Sequence, residues 1–309
     1  MAKPVPPVIV AGMHRSGTTL VSRVLQQCGL FMGNRQDSHD EAFFFLRLNE
    51  WFLAQAHCAW DNVSQFSALD DFTRRQLIRV AKQQMKGMRR LDFLGTGKFF
   101  RYTDISTLDI PWGWKDPRNT ITIDIWKELF PEARVIHVFR HPVDVAQSLR
   151  QREQKTRRML FGPQKRLHNA LYFKVRLKWK EFRLSSGGWY AYMPATPSLY
   201  TRSVSDLSQG FRVWKDYVSR ALVLEEKYPD HILHIRFEDF LQHPKEGLQD
   251  LTAFAGLSPT SQTEQQIINH MNPRRKFAFL QDPELLNFYR SIQNDPLVRE
   301  TGYHTIGEP

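Results

Sequence analysis

A glycine-rich loop directly after a short apolar run is the feature that most constrains the fold. Val8-Ile9-Val10-Ala11 predicts a buried strand, and Gly12-Met13-His14-Arg15-Ser16-Gly17-Thr18-Thr19 follows it at once. Leu20, Val24 and Leu25 then recur at helical spacing. A strand, a Gly-x4-Gly turn and a helix direct successive backbone N–H groups and the positive end of a helix dipole at one phosphate. The loop therefore predicts a phosphate-binding site built from His14, Arg15, Ser16, Gly17, Thr18 and Thr19.

Alternating strand and helix patterns continue along the chain. Two further β-branched runs, at 134–139 and 232–237, predict strands. This alternation favours an α/β fold with three layers, in which helices flank a central, mainly parallel sheet. With 309 residues, we expect a single domain over 1–309 that carries a basic and aromatic insertion at about 150–210. Helical patterns lie at about 41–57, 70–91, 143–150 and 245–255, and a turn is predicted at 238–240.

Positive charge is concentrated in one segment. The net charge is +11, and between Arg150 and Arg183 twelve Lys or Arg face two acids, a local excess of +10. Such a field favours an anionic partner, whereas the simpler interpretation is a solvated helix face. Trp179 and Tyr172 would allow stacking on bases, which keeps a nucleic-acid-binding protein open as an alternative. A nucleic-acid partner is nevertheless not expected, because apolar residues at near-helical spacing turn one face of the segment inward.

Other classes of protein are disfavoured by what the sequence lacks. The two cysteines, Cys28 and Cys58, form no metal-ligand spacing, and no His/Asp cluster suggests a metal site. No run approaches the roughly 18 apolar residues of a membrane span, and the first apolar run is too short for a secretion signal. We therefore expect a cytoplasmic protein with reduced thiols and no bound metal.

The residue after the second glycine distinguishes two chemistries. Nucleotide triphosphatases place a lysine there, which reaches the β- and γ-phosphates, and this chain has Thr18. Arg15 instead puts a cation at the apex of the loop. This arrangement suits a donor with one 5′-phosphate that carries a transferable group, because the bridging oxygen gains charge as the bond breaks. A small-molecule kinase with a divergent loop remains the alternative.

A second anion site is predicted where the 134–139 strand ends. Arg140 follows that strand, and Ser148 lies eight residues further on, about two turns into the next helix. In open α/β sheets the carboxyl ends of the strands bind ligands. A guanidinium and a hydroxyl are thus expected to point at one small anion.

Four blocks together resemble a known family, the sulfotransferases that use 3′-phosphoadenosine 5′-phosphosulfate, and particularly their bacterial branch. The blocks are Gly12-Met13-His14-Arg15-Ser16-Gly17-Thr18-Thr19-Leu20, Trp114-Lys115-Asp116-Pro117-Arg118, Val138-Phe139-Arg140-His141-Pro142-Val143-Asp144-Val145-Ala146-Gln147-Ser148 and Ile235-Arg236-Phe237-Glu238-Asp239-Phe240. The resemblance implies a sulfotransferase fold related to that of P-loop proteins. It also implies that Arg140 and Ser148 hold the 3′-phosphate of the donor.

The same resemblance implies roles for several other side chains. Arg15 and Lys115 would stabilise the transferring sulfuryl group or the leaving oxygen, and Arg274 and Arg275 would close over the 3′-phosphate. The base that takes the acceptor's proton would be Glu41, with His39 as the second choice. Capping of the following helix explains Asp40 and Glu41 equally well. The reaction requires no metal, since positioned cations and N–H groups stabilise the charge. The acceptor is expected to be anionic or glycan-like and to face Trp189, Tyr190 and Tyr192 of the insertion.

Overall fold

A parallel sheet of four strands forms the centre of the computed structural model, which describes residues 3–161 and 204–306. The order of the strands in the sheet is β2-β1-β3-β4. The strands are β1 Val8–Gly12, β2 Gly113–Lys115, β3 Arg134–Phe139 and β4 Ile232–Arg236. All of their pairings are parallel.

Helices cover both faces of this sheet. Numbered in chain order through the described residues, they are α1 Thr18–Gln27, α2 Phe43–Gln55, α3 Asp71–Lys86, α4 Arg90–Arg101, α5 Asn119–Leu129, α6 Pro142–Phe161, α7 Leu207–Lys227, α8 Phe237–Gln242, α9 Pro244–Ala255, α10 Ser261–His270, α11 Pro283–Ile292 and α12 Pro296–Glu300. The predicted three-layer α/β architecture is thereby confirmed.

Alternate residues of β1 enter two separate cores. Val8 and Val10 pack in a cluster with Leu25 of α1, whereas Ile9 and Ala11 belong to the larger cluster on the opposite face. All five residues of β1 are buried. A parallel strand that is covered on both faces requires such a continuous apolar run, which is why the first strand was recognisable from sequence.

The register brings the carboxyl ends of the strands to one edge of the sheet. Gly12, the last residue of β1, pairs with Val138 in β3, and Val10 pairs with Lys115 at the end of β2. The glycine loop, the turn after β2 and Arg140 therefore leave the sheet side by side. This is the edge at which open α/β folds bind ligands.

Some local predictions were wrong. The turn expected at 238–240 is part of helix α8, and the pattern at 70–91 divides into α3 and α4. The helix expected at 143–150 continues to Phe161. Strand β2 was not predicted, because three residues containing a glycine and a tryptophan show no strand periodicity. The predicted single domain stays a prediction, and most of the predicted insertion, with Trp189, Tyr190 and Tyr192, lies outside the described residues.

Both cysteines are buried and unpaired, as expected for free thiols. Burial raises the pKa of the Cys28 thiol to about 11. None of the helices in residues 3–161 and 204–306 combines the length and the hydropathy that crossing a membrane demands.

Candidate functional site

The glycine loop adopts a conformation that only glycine tolerates at its end. Gly17 has φ +100° and is the N-cap residue of α1, whose first turn receives no side-chain cap. A Cβ atom at this position would lie 2.2 Å from Cδ2 of Phe237. Arg15 also has a positive φ, 73°. The loop thus leaves the first N–H groups of α1 uncapped by side chains, in the arrangement that binds an anion.

Backbone and side-chain hydrogen bonds hold this loop against the sheet. The Gly12 N–H donates to Oγ1 of Thr120 on α5 at 2.9 Å, and Oγ of Ser16 donates to the carbonyl of Met13 at 2.7 Å. Thr19 Oγ1 donates to the carbonyl of His39 at 3.2 Å. The hydroxyls of Ser16 and Thr19 therefore shape the loop in the unliganded protein.

Three arginines and a serine meet beside the loop. Arg15 Nε donates to Oγ of Ser148 at 2.8 Å. Arg140 donates to the carbonyl of Arg15 at 3.2 Å and to that of Arg275 at 3.3 Å. Its guanidinium also lies 3.5 Å from the carboxylate of Asp144, in the first turn of α6. The structure thus assembles four residues that the sequence singled out from three distant segments.

The electrostatics of this cluster favour an anion. Partial burial, together with the guanidinium groups of Arg140 and Arg275, lowers the pKa of Arg15. Arg140 Nε is buried and has no hydrogen-bond partner within residues 3–161 and 204–306. Cations held this close repel one another, and an anion with several oxygens would relieve that repulsion and accept the unused donors.

The two arginines of the C-terminal turn are not equivalent. Arg275 reaches the cluster through its carbonyl, and its guanidinium lies 6.0 Å from the Phe237 ring. Both residues are exposed, and the backbone N–H of Arg274 donates to the side chain of Asn272. Within the described residues, no hydrogen bond or ion pair joins the Arg274 side chain to the loop. Arg275 is therefore the better candidate of the pair.

A buried ion network forms the wall opposite the arginine cluster. Lys115 Nζ lies 3.0 Å from Oε1 of Glu41, and Arg118 Nη2 lies 2.8 Å from Oε2 of the same carboxylate. Lys115 and Glu41 are only 2% and 6% exposed. Asp116 and Glu50 also contact Arg118. Glu41 is thus an ion-paired carboxylate and does not cap α2, whose N-cap residue is Ala42.

His39 contributes its backbone more than its ring. Its carbonyl accepts hydrogen bonds from Lys115 at 2.9 Å and from Thr19. The ring is largely exposed, with Nδ1 3.6 Å from the carboxylate of Asp37. Asp40, for its part, pairs with Arg23 at 2.7 Å and also does not cap α2.

His14 lines the site with an uncharged ring. The imidazole packs edge-on against Trp60, with centroids 5.1 Å apart, and lies near Tyr217. Its Nε2 is buried, and none of the described residues forms a hydrogen bond with it. Burial, reinforced by Arg152 and Arg118, lowers the pKa of His14 well below the usual 6.5. The ring is therefore neutral at physiological pH.

Between these walls lies a cavity of about 190 Å³. Its lining residues are His14, Arg15, Gly17, Thr18, Thr19, His39, Glu41, Lys115, Pro117 and Arg152. Most of them had been assigned to one site from the sequence alone. The cavity is small, polar and positively charged, as expected for the reacting end of an anionic substrate.

Comparison with known proteins identifies the chain. A profile of the sulfotransferase family matches residues 6–182, which is more than half of the 309 residues. The chain belongs to the sulfotransferase family. The match includes the glycine loop, the Lys115 turn and the Arg140–Ser148 segment. Family membership supports a transferase that carries out sulfotransfer.

Two of the solved structures similar to this chain come from bacteria. A sulfotransferase from Alicyclobacillus acidocaldarius is 15% identical with a TM-score of 0.47, and the match covers 98% of this chain and 97% of that one. The sulfotransferase domain of the Synechococcus PCC 7002 olefin synthase is 16% identical with a TM-score of 0.46, over 100% and 98% of the two chains. No curated protein matches the sequence significantly.

Two cationic residues of this sulfotransferase site were not predicted as site residues. Arg118 appeared in the sequence only as part of a family block, and Arg152 only as one charge in the basic segment. The signal for Arg152 was its spacing: it lies four residues after Ser148, so it occupies the same face of α6. Arg118 gave no comparable signal, because its role depends on where Glu41 folds back from a distant segment.

Proposed function

We propose that the protein transfers a sulfuryl group from 3′-phosphoadenosine 5′-phosphosulfate to a hydroxyl or amine of an acceptor, a glycan or another small molecule. The observation that carries this proposal is the contact between two anion sites. Arg15, in the loop suited to a 5′-phosphate, donates at 2.8 Å to Ser148 beside Arg140. Two adjacent sites of this kind fit a nucleotide that is phosphorylated at both the 5′ and the 3′ position.

On the donor side, backbone N–H groups of the loop and the first turn of α1 would hold the 5′-phosphosulfate. Arg140, Ser148 and Arg275 would hold the 3′-phosphate, for which three converging groups provide both charge and hydrogen bonds. The Arg140 Nε that has no partner in the free protein supplies one donor for it. Fixed donors of this kind position the nucleotide before any bond changes.

The transfer itself needs charge stabilisation at the oxygen that bridges phosphorus and sulfur. The acceptor oxygen or nitrogen forms a new bond to sulfur while the bridging S–O bond breaks, and adenosine 3′,5′-bisphosphate leaves with the bonding electrons. Lys115 and Arg15 line the cavity where that oxygen would lie. Their positive charges match the charge that develops there.

The acceptor's proton requires a base, and Glu41 is the best placed carboxylate. It lines the cavity, and each of its oxygens contacts a cation, Lys115 or Arg118. We expect Lys115 to turn from Glu41 to the donor's sulfuryl oxygens on binding, which frees Oε1 to accept the proton. His39 is the weaker candidate, because its ring points towards Asp37 and is largely exposed.

A thermal-shift experiment tests the donor assignment. We expect adenosine 3′,5′-bisphosphate to raise the melting temperature, since a ligand that binds only the folded state stabilises it. ATP with magnesium should raise it much less, because Thr18 stands where a triphosphate site has its lysine. Stabilisation by ATP with magnesium but not by the bisphosphate would favour the kinase alternative and overturn the proposal.

A further inference from the structure

Helix α6 carries arginines in two different states. Arg150 forms an ion pair with Glu284 at 2.5 Å, and Arg157 pairs with Glu153 at 2.9 Å. Within the part of the chain that the structure describes, the guanidinium of Arg152 has no hydrogen bond and no ion pair. It stacks instead on the ring of Trp60, at 4.2 Å from the centroid.

This guanidinium faces the cavity of the proposed active site and is largely withdrawn from solvent. Arg152 lines the cavity together with Glu41 and Lys115. Burial, followed by the positive charge of Arg15, lowers its pKa. The carboxylates of Asp61, Glu153 and Glu41 raise this pKa by smaller amounts, and burying a charge that they balance only in part costs stability. An anion that enters the cavity would compensate that cost, so the arrangement is that of a binding residue.

The position of Arg152 on α6 separates it from the donor's 3′-phosphate. It lies one helical turn beyond Ser148, which displaces its Cα by about 6 Å along the helix axis. The side chain then leans over Trp60, in the loop that follows α2. In the proposed function the donor's charged groups would already have partners, namely the loop and Lys115 for the phosphosulfate and the arginine cluster for the 3′-phosphate.

We propose that Arg152 binds an anionic substituent of the acceptor, a carboxylate, sulfate or phosphate group near the attacking hydroxyl or amine. This inference rests on the proposed function and names its substrate class. A guanidinium offers two parallel N–H donors that match the oxygens of any of these groups. Stacking on Trp60 fixes the plane of the guanidinium, so little side-chain freedom is lost on binding.

The test uses one sugar scaffold with different charges. The protein is incubated with labelled donor and one candidate acceptor at a time. The sugars are methyl glucoside, glucuronate, glucose 6-phosphate and glucose 6-sulfate, and the phenolic pair is 4-hydroxybenzyl alcohol and 4-hydroxybenzoate. Transfer is measured as kcat/KM for the wild type, Arg152→Gln and Arg152→Lys. Arg157→Gln is the matched control, because it removes the same charge from an exposed, ion-paired position of the same helix. Calorimetry gives the Kd of adenosine 3′,5′-bisphosphate for each protein.

We expect the kcat/KM of the wild type to be about ten-fold higher for at least one anionic acceptor than for its neutral counterpart. Arg152→Gln should lose about 10- to 100-fold in kcat/KM on the anionic members, and no more than about two-fold on the neutral ones. Arg152→Lys should fall between the two, and Arg157→Gln should behave as the wild type. The bisphosphate Kd should stay within about two-fold throughout.

Equal use of neutral and anionic members, or transfer to none of the anionic ones, would overturn the inference. A ten-fold or greater loss of bisphosphate affinity in Arg152→Gln would also overturn it, since Arg152 would then belong to the donor site. Failure of the proposed function has a different signature, because in that case the bisphosphate does not bind the wild type.

Discussion

Replacement of Arg140 by alanine removes the residue that joins the glycine loop to the C-terminal turn. In the free protein its guanidinium donates to the carbonyls of Arg15 and Arg275 and lies 3.5 Å from Asp144. If Arg140 also binds the 3′-phosphate, the variant loses a hydrogen bond between charged groups. Such a bond contributes about 1.5–3 kcal/mol. The Kd of adenosine 3′,5′-bisphosphate should therefore rise about 10- to 150-fold, at 1.4 kcal/mol per factor of ten.

Adenosine 5′-monophosphate, which lacks the 3′-phosphate, separates a direct contact from a general effect on the loop. Calorimetry on the two nucleotides should show that Arg140→Ala raises the Kd of the monophosphate by no more than about three-fold. Arg134→Ala is the matched control. It removes an arginine from the opposite end of the same strand, where the side chain donates to the Phe254 carbonyl, and it should change neither Kd. An equal rise in the Kd of both nucleotides in Arg140→Ala would refute the 3′-phosphate assignment.

Three further changes test other parts of the site and the core. Gly17→Ala places a Cβ 2.2 Å from Phe237 at φ +100° and should weaken bisphosphate binding by at least ten-fold in calorimetry. Gly29→Ala is the control, because Gly29 has φ +97° but nothing within 4 Å of the added Cβ. Equal losses of bisphosphate affinity in the two variants would contradict a local cause. Glu41→Gln should lower kcat about 10²- to 10⁴-fold with the bisphosphate Kd within a few-fold, whereas unchanged kcat in a transfer assay would exclude Glu41 as the base. Both ring nitrogens of His137 are buried and have no hydrogen-bond partner in the part of the chain that the structure describes. Burial lowers the pKa of His137 well below 6.5. Only the unfolded chain therefore takes up this proton as the pH falls below about 6.5, and the stability of the folded state decreases there. His137→Leu should reduce the loss of unfolding free energy between about pH 7.5 and 5.5 by about 1.3 kcal/mol in urea titrations, and an unchanged loss would refute this assignment.

The fold followed from the sequence where a pattern is local. Strands β1 and β3 are rich in buried apolar residues because helices cover them on both faces. Pro142 begins α6 because proline suits the first helical turn. Strand β2 has three residues and belongs to the sheet only through its pairing with β1. Helix α8 begins directly after β4, where a short acidic stretch looks like a turn.

The site followed from the sequence where one loop supplies the geometry. The backbone of Gly12 to Thr19 alone defines the candidate phosphate-binding loop. The role of Glu41 depends instead on contacts with Lys115 and Arg118, 74 and 77 residues away. Spacing places Arg152 on the face of α6 that carries Ser148, but its stacking on Trp60 depends on a loop distant in sequence and could not be predicted.

Sulfuryl transfer itself is the central claim, and a single incubation tests it most directly. The protein is mixed with donor labelled in the sulfuryl group and with a panel of glycans, phenols, lipids and peptides that includes the anionic sugars named above. We expect label to appear in an acceptor without ATP. The amount of adenosine 3′,5′-bisphosphate that is formed should equal the amount of label transferred. Magnesium-dependent turnover of ATP, with no label transferred to any acceptor, would contradict it.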